Sequence, residues 1–181
     1  MTNKDIIEKY IDFEGVDYKT ELSCLNIDKT KPTLVFIDDH PSVIIMFKRL
    51  VKRMELENKY NIVYVDGIDA SIKLLHWLYS NDLKIDYIVT DITFGGNIRI
   101  KDINYEINGI KLVGILKEMN NNIKYCFMTG HNIDTLGTPM FFKEYKEYAD
   151  DNLLEHTMLK DTPISTNFNL IKKLTGVENE N

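Results

Sequence analysis

Five side chains in this 181-residue chain stand where they can do phosphorus chemistry together: the adjacent Asp38 and Asp39, then Asp91, Thr129 and Lys160. Each follows directly on a short apolar run. Carboxylates gathered at one place repel, each close pair costing on the order of a few kcal/mol at an intermediate dielectric, unless a cation neutralises them. Read as an all-oxygen donor set, the acids select a hard ion such as Mg²⁺ over zinc or copper. Lys160 adds a mobile positive charge and Thr129 a hydroxyl donor, so the group suits a dianionic phosphoryl moiety. Asp91, alone at its position, is the natural nucleophile, forming an acyl phosphate.

The elements that must position these side chains are legible in the apolar pattern. Thr33 to Ile37 is continuous and β-branched or aromatic, the mark of a strand covered on both faces, and it runs straight into Asp38 and Asp39. Pro41 fits a first helical turn, and Val43, Ile44, Phe47, Leu50, Val51 and Met54 recur at helical spacing behind it. Asn61 to Val65 predicts a second strand, and Asp69 caps a helix carrying Ile72, Leu75, Trp77 or Leu78, and Tyr79. Tyr87 to Thr90 is a third strand that delivers Asp91, and Asn108 caps a helix through Ile110, Val113, Leu116 and Met119. Lys124 to Met128 ends in Thr129-Gly130, Phe141 to Ala149 is a candidate helix, Thr157 to Leu159 leads to Lys160, and Thr166 to Leu174 closes the fold as a helix. Strands alternating with helices imply right-handed βαβ units. The expected fold is therefore α/β, a doubly wound five-stranded parallel sheet. Its strands present their carboxyl ends on one edge, where such sheets bind ligands, which brings the five residues together by topology.

Ahead of this domain, Lys4 to Phe13 carries Ile6, Ile7, Tyr10 and Ile11 at helical spacing, so residues 1–31 read as an extension with a short amphipathic helix. Residues 32–176 form the main domain and residues 177–181 a flexible polar tail. With 28 acidic against 22 basic residues the net charge is −6, which offers no footprint for a phosphate backbone, so nucleic acid is not an expected partner. No apolar run approaches the roughly 18 residues needed to cross a bilayer, and the two cysteines, Cys24 and Cys126, read as reduced thiols, so the expected compartment is the cytoplasm. His76, with no second His or Cys at ligand spacing, reads as a solvent-facing or core-edge residue.

In order and in strand context, Asp38-Asp39, Asp91, Thr129 and Lys160 resemble the signature of the receiver domain of bacterial two-component response regulators, over about Lys31 to Leu174. The resemblance implies the flavodoxin-like receiver fold, phosphorylation of Asp91 by a histidine kinase or phosphotransfer protein, and Mg²⁺ as cofactor. It further implies that Asp39, Asp91 and the backbone carbonyl of Thr93 ligate the metal directly, Asp38 through water. Thr129 and Lys160 would then grip the phosphoryl oxygens, and a shift of Thr129 would carry the signal to a downstream protein target.

The chain departs from that pattern in three places. Lys160 is followed by Asp161-Thr162-Pro163, where the family has proline at once, which displaces the expected cis bond. Thr157 stands where many members carry an aromatic residue. Between Asp91 and Gly109 the connection is long, and Ile98, Ile100, Ile103, Tyr105 and Ile107 alternate with polar residues around Lys101-Asp102, which predicts an inserted β-hairpin beside Asp91. Residues 130–156 are also enlarged, in the region where partners of such domains dock, and His131 within them is an exposed loop residue or an influence on water access. Gly95-Gly96 reads as turn chemistry.

The leading expectation is a stand-alone receiver, a phosphoprotein rather than an enzyme, acting by protein contact; self-association through the N-terminal helix stays open. The alternatives are a degenerate receiver that binds without phosphorylation and a Mg²⁺-dependent phosphatase. The latter is disfavoured because the Asp-x-Asp pattern fails where Asp39 is followed by His40 and Pro41.

Overall fold

The computed structural model describes residues 1–17, 21–66, 69–94, 97–130, 157–159 and 164–176; for residues 97, 129, 157–159, 164–168 and 170 it describes the backbone. Strand β1 (Thr33–Ile37) is buried at every position, as its unbroken apolar run requires. It is followed by α2 (Pro41–Arg53), β2 (Asn61–Val65), α3 (Ala70–Ser80) and β3 (Tyr87–Asp91). A two-stranded excursion, β4 (Asn97–Ile100) and β5 (Ile103–Glu106), precedes α4 (Gly109–Met119), β6 (Lys124–Thr129), β7 (Thr157–Leu159) and a last helix, α5 (Ile164–Thr175). A short helix α1 (Asn3–Ile7) opens the chain.

The main sheet has the order β2-β1-β3-β6-β7 and every pairing is parallel. The ladder between β6 and β7 spans Phe127 to Thr129 against Thr157 to Leu159 and is the shortest of the four. Because side chains alternate across a strand, the sheet feeds two separate cores. Leu34, Phe36, Val89, Cys126 and Met128 meet Ile44, Phe47, Leu50 and Val51 of α2 and Ile171 and Leu174 of α5. Val35, Ile37, Val63, Val65, Ile88 and Phe127 meet Leu74, Leu75 and Leu78 of α3 and Leu112, Val113 and Leu116 of α4. The chain thus has the α/β, doubly wound parallel architecture expected from its pattern.

The helix expected over Lys4 to Phe13 stops at Ile7. Ile11 and Phe13 are both buried around an exposed Asp12, a spacing of two that suits extended backbone, whereas Ile6 and Ile7 are buried by helical geometry. All of these except Ile6 belong to the core on the α3/α4 side. Polar contacts fix the same segment. Asn3 Nδ2 donates to Leu83 O at 2.7 Å, Tyr79 Oη donates to Glu8 at 3.1 Å, Lys9 pairs with Glu118 at 2.9 Å, and Tyr10 Oη donates to Glu118. His76 occupies the core edge, half-buried, edge-on to Phe13 at 5.1 Å and 3.3 Å from Val16 O.

The inserted hairpin is present where alternation placed it. Its strands pair antiparallel from Asn97↔Glu106 to Ile100↔Ile103, and Lys101 and Asp102 make the tight turn with φ of 48° and 65°. Two consecutive positive-φ residues are what a right-handedly twisted two-residue hairpin needs. Ile100 and Ile107 are buried in the α3/α4-side core, and Lys101 Nζ reaches Asp12 at 2.7 Å, tying the turn to the N-terminal segment. The candidate helix over 141–149, His131, Gly95-Gly96, Pro163 and the tail from residue 177 lie outside the described residues. Among the described residues, no helix is long and apolar enough to cross a membrane.

Candidate functional site

The carboxyl ends of β1 and β3 place three acids side by side. Asp38 follows β1 and is fully buried; its backbone N–H donates to Val65 O, extending the ladder with β2 by one residue. Asp91 is the last residue of β3, 1% exposed, and pairs in register with Met128. Asp39, in the loop, is only partly covered. Donor atoms from Asp38, Asp39, His40 and Asp91 all lie within 4.8 Å of one another.

Short-range hydrogen bonds hold these carboxylates in place. His40 N–H donates to Asp38 Oδ1 at 2.8 Å, closing a turn over the strand end. Thr93 does the same for Asp91 Oδ1, its N–H at 3.2 Å and its hydroxyl at 3.4 Å. Thr90 Oγ1 donates to the Asp91 carbonyl at 3.1 Å. At separations near 4.8 Å, two full charges repel by about 3 kcal/mol at an effective dielectric near 20, so three ionised acids here call for a counter-charge. The residues fit a small divalent cation: bonds of about 2.1 Å put donors about 3 Å apart along an octahedral edge and about 4 Å across it, the scale of this cluster.

Asp38, Asp39 and Asp91 thus lie together, and Thr93 reaches the cluster through its N–H and hydroxyl on Asp91. Thr129 ends β6, adjacent to β3, and pairs in register with Leu159; its backbone is at the same edge of the sheet, while its side chain, like Lys160, lies outside the described residues. His40 Nδ1 stands beside the acids, 2.9 Å from Asp39 Oδ1 and 3.3 Å from Asp38 Oδ1, a neighbour the expected donor set did not include. The signal was Pro41: the residue before a proline is pushed to extended backbone, and His40 at φ −97°, ψ 113° extends the strand-end loop instead of entering the helix.

No protein-family model matches the chain, and no curated protein matches it. The fold does match solved structures. A response regulator receiver protein from Sinorhizobium medicae WSM419 aligns with TM-score 0.54 and 16% identity over 81% of this chain and 96% of its own. A response regulator receiver domain protein from Clostridium thermocellum aligns with TM-score 0.52 and 16% identity over 80% and 94%. A two-component response regulator from Legionella pneumophila aligns with TM-score 0.51 and 15% identity over 81% and 100%. The fold of this chain is that of response regulator receiver domains, and its acidic cluster sits at the carboxyl edge of that sheet.

Proposed function

We propose that this chain is a phosphorelay receiver that accepts a phosphoryl group on Asp91 from a histidine kinase or phosphotransfer protein and signals by protein contact, in the cytoplasm. The observation that carries the reading is the convergence of Asp38, Asp39 and Asp91 on one point at the carboxyl edge of a receiver-type sheet.

A carboxylate oxygen of Asp91 attacks phosphorus, the bond from phosphorus to the donor's imidazole nitrogen breaks, and that nitrogen keeps the electron pair. Thr93, bonded to Oδ1, fixes the rotation of the Asp91 carboxylate for attack. Asp38, held by the His40 N–H, and Asp39 complete the negative wall that would hold Mg²⁺, together with Asp91 and the Thr93 carbonyl. When bound, the ion supplies positive charge against both the acids and the incoming phosphoryl oxygens. Thr129 and Lys160 are assigned the phosphoryl oxygens. The chain acts as a phosphoacceptor and not as a turnover catalyst.

A second reading, constitutive binding without phosphorylation, is favoured by the covering of Asp91, which is 1% exposed. Fluorine NMR separates the two. Beryllofluoride with Mg²⁺ should give bound fluoride resonances that vanish in Asp91→Asn, whereas constitutive binding predicts no bound signal at saturating reagent.

A further inference from the structure

The inserted hairpin is fastened at both ends beside Asp91. At its start, Thr93 donates its N–H and its hydroxyl to Asp91 Oδ1, and the next residue, Phe94, is buried in the α3/α4-side core. At its end, Gly109 N–H donates to Ile92 O. Strands of four residues, rising about 3.3 Å at each, then span about 13 Å to the turn.

That turn is held by the N-terminal segment. Lys101 Nζ pairs with Asp12 at 2.7 Å, and Asp12 N–H donates to the Tyr105 hydroxyl oxygen at 3.5 Å. Lys101 and Asp102 both hold positive φ, 48° and 65°, without being glycine. Such residues stay in the left-handed region when surrounding contacts fix them there. The Asp12 pair on Lys101 and the pair of Arg99 with Asp102 at 2.9 Å are contacts of that kind. Asp12 itself stands between Ile11 and Phe13, which are buried in the same core as Ile100 of the hairpin.

We propose that the hairpin is a lever between Asp91 and the N-terminal segment, so that a phosphoryl group on Asp91 loosens residues 3–13. The proposal rests on Asp91 being the phosphoacceptor, as read above. In the acyl phosphate one Asp91 oxygen is bonded to phosphorus, the carboxyl group no longer carries charge, and the negative charge sits on the phosphoryl oxygens. The two donors of Thr93 follow that charge, because a hydrogen bond to an ionised acceptor is about twice as strong as one to a neutral acceptor. Thr93 stands at the root of β4, so its displacement acts along the hairpin on Lys101. The pair of Lys101 with Asp12 is partly solvated, and an ion pair of that kind is weak enough to yield. This route uses the insertion and the N-terminal extension and is separate from the shift expected of Thr129.

The test is amide hydrogen exchange of the full chain in MgCl₂, with and without beryllofluoride, beside fluorine NMR that reads the bound adduct. The adduct should speed exchange within residues 3–13 by about fivefold or more, and Asp91→Asn should show no such change. Coupling is reciprocal, so Asp12→Asn, which removes the ion pair without touching the acidic cluster, should tighten beryllofluoride binding by up to that factor. Lys101→Ala should match it, and the double variant should go no further than either alone. Bound fluoride with unchanged or slowed exchange at residues 3–13, or wild-type beryllofluoride affinity in Asp12→Asn, overturns the lever and leaves the phosphoacceptor standing. No bound fluoride at saturating reagent overturns both.

Discussion

A Cβ added to Gly109 would lie 1.9 Å from the backbone carbonyl oxygen of Asp91, so the start of α4 is pressed against the residue proposed to accept the phosphoryl group. Gly109 N–H also donates to Ile92 O at 3.2 Å, which closes the inserted hairpin into a loop whose two ends meet beside the acidic cluster. The atoms in the way are backbone, and backbone cannot swing aside as a flexible side chain would. Gly109→Ala should therefore cost about 1–3 kcal/mol or more in denaturant unfolding and lower the yield of phosphoryl adduct. Unchanged stability and adduct would show that α4 can withdraw from Asp91 freely.

The N-terminal segment contributes to the core. Phe13 is 1% exposed within the α3/α4-side cluster, edge-on to His76. Phe13→Ala should destabilise the whole chain by about 3–5 kcal/mol in a single cooperative transition. A loss below about 1 kcal/mol would mean that the segment folds as an independent attachment.

Glu118 ties that segment to α4, and its carboxyl is held below its ordinary value of 4.5, first by the hydrogen bond from Tyr10 and then by that from Lys9. A lowered folded value stabilises the fold above pH 4.5, and the contribution is lost as pH falls through the folded value. The group is largely solvated, so the effect is at most about 0.5–1 kcal/mol. Glu118→Gln should lower stability at pH 7 by that order and match the wild type near pH 3; a difference that persists in acid would assign it to packing.

The two thiols should behave oppositely. Cys24 is exposed, whereas Cys126 is buried inside β6 and burial pushes its thiol up to about 12. One equivalent of a thiol reagent should react with the native protein near pH 8 and two in denaturant. Rapid labelling of both in the native state would mean that the α2/α5 side opens readily.

The wound sheet was legible because Thr33 to Ile37 and Tyr87 to Thr90 are unbroken apolar runs that only two-sided burial explains. The hairpin was legible for the converse reason: Ile98, Ile100, Ile103 and Tyr105 alternate with polar residues. What failed to show were relationships made by tertiary packing. Ile11 follows Ile7 at a helical interval, yet the backbone between them leaves the helix so that Ile11 and Phe13 can both reach the core. Nothing in the donor pattern around Asp39 marks His40 either; only the folded loop brings its nitrogen beside the acids. The demand for glycine at 109 comes wholly from a strand 18 residues earlier in the chain.

On the proposed reading, Asp91 accepts phosphorus at a site shared with Asp38 and Asp39. Intact-mass spectrometry after incubation with phosphoramidate and MgCl₂ tests it most directly. A single phosphoryl adduct on the wild type that maps to Asp91 and is absent from Asp91→Asn is the predicted result. No adduct at saturating donor, or one that persists in Asp91→Asn, would contradict it.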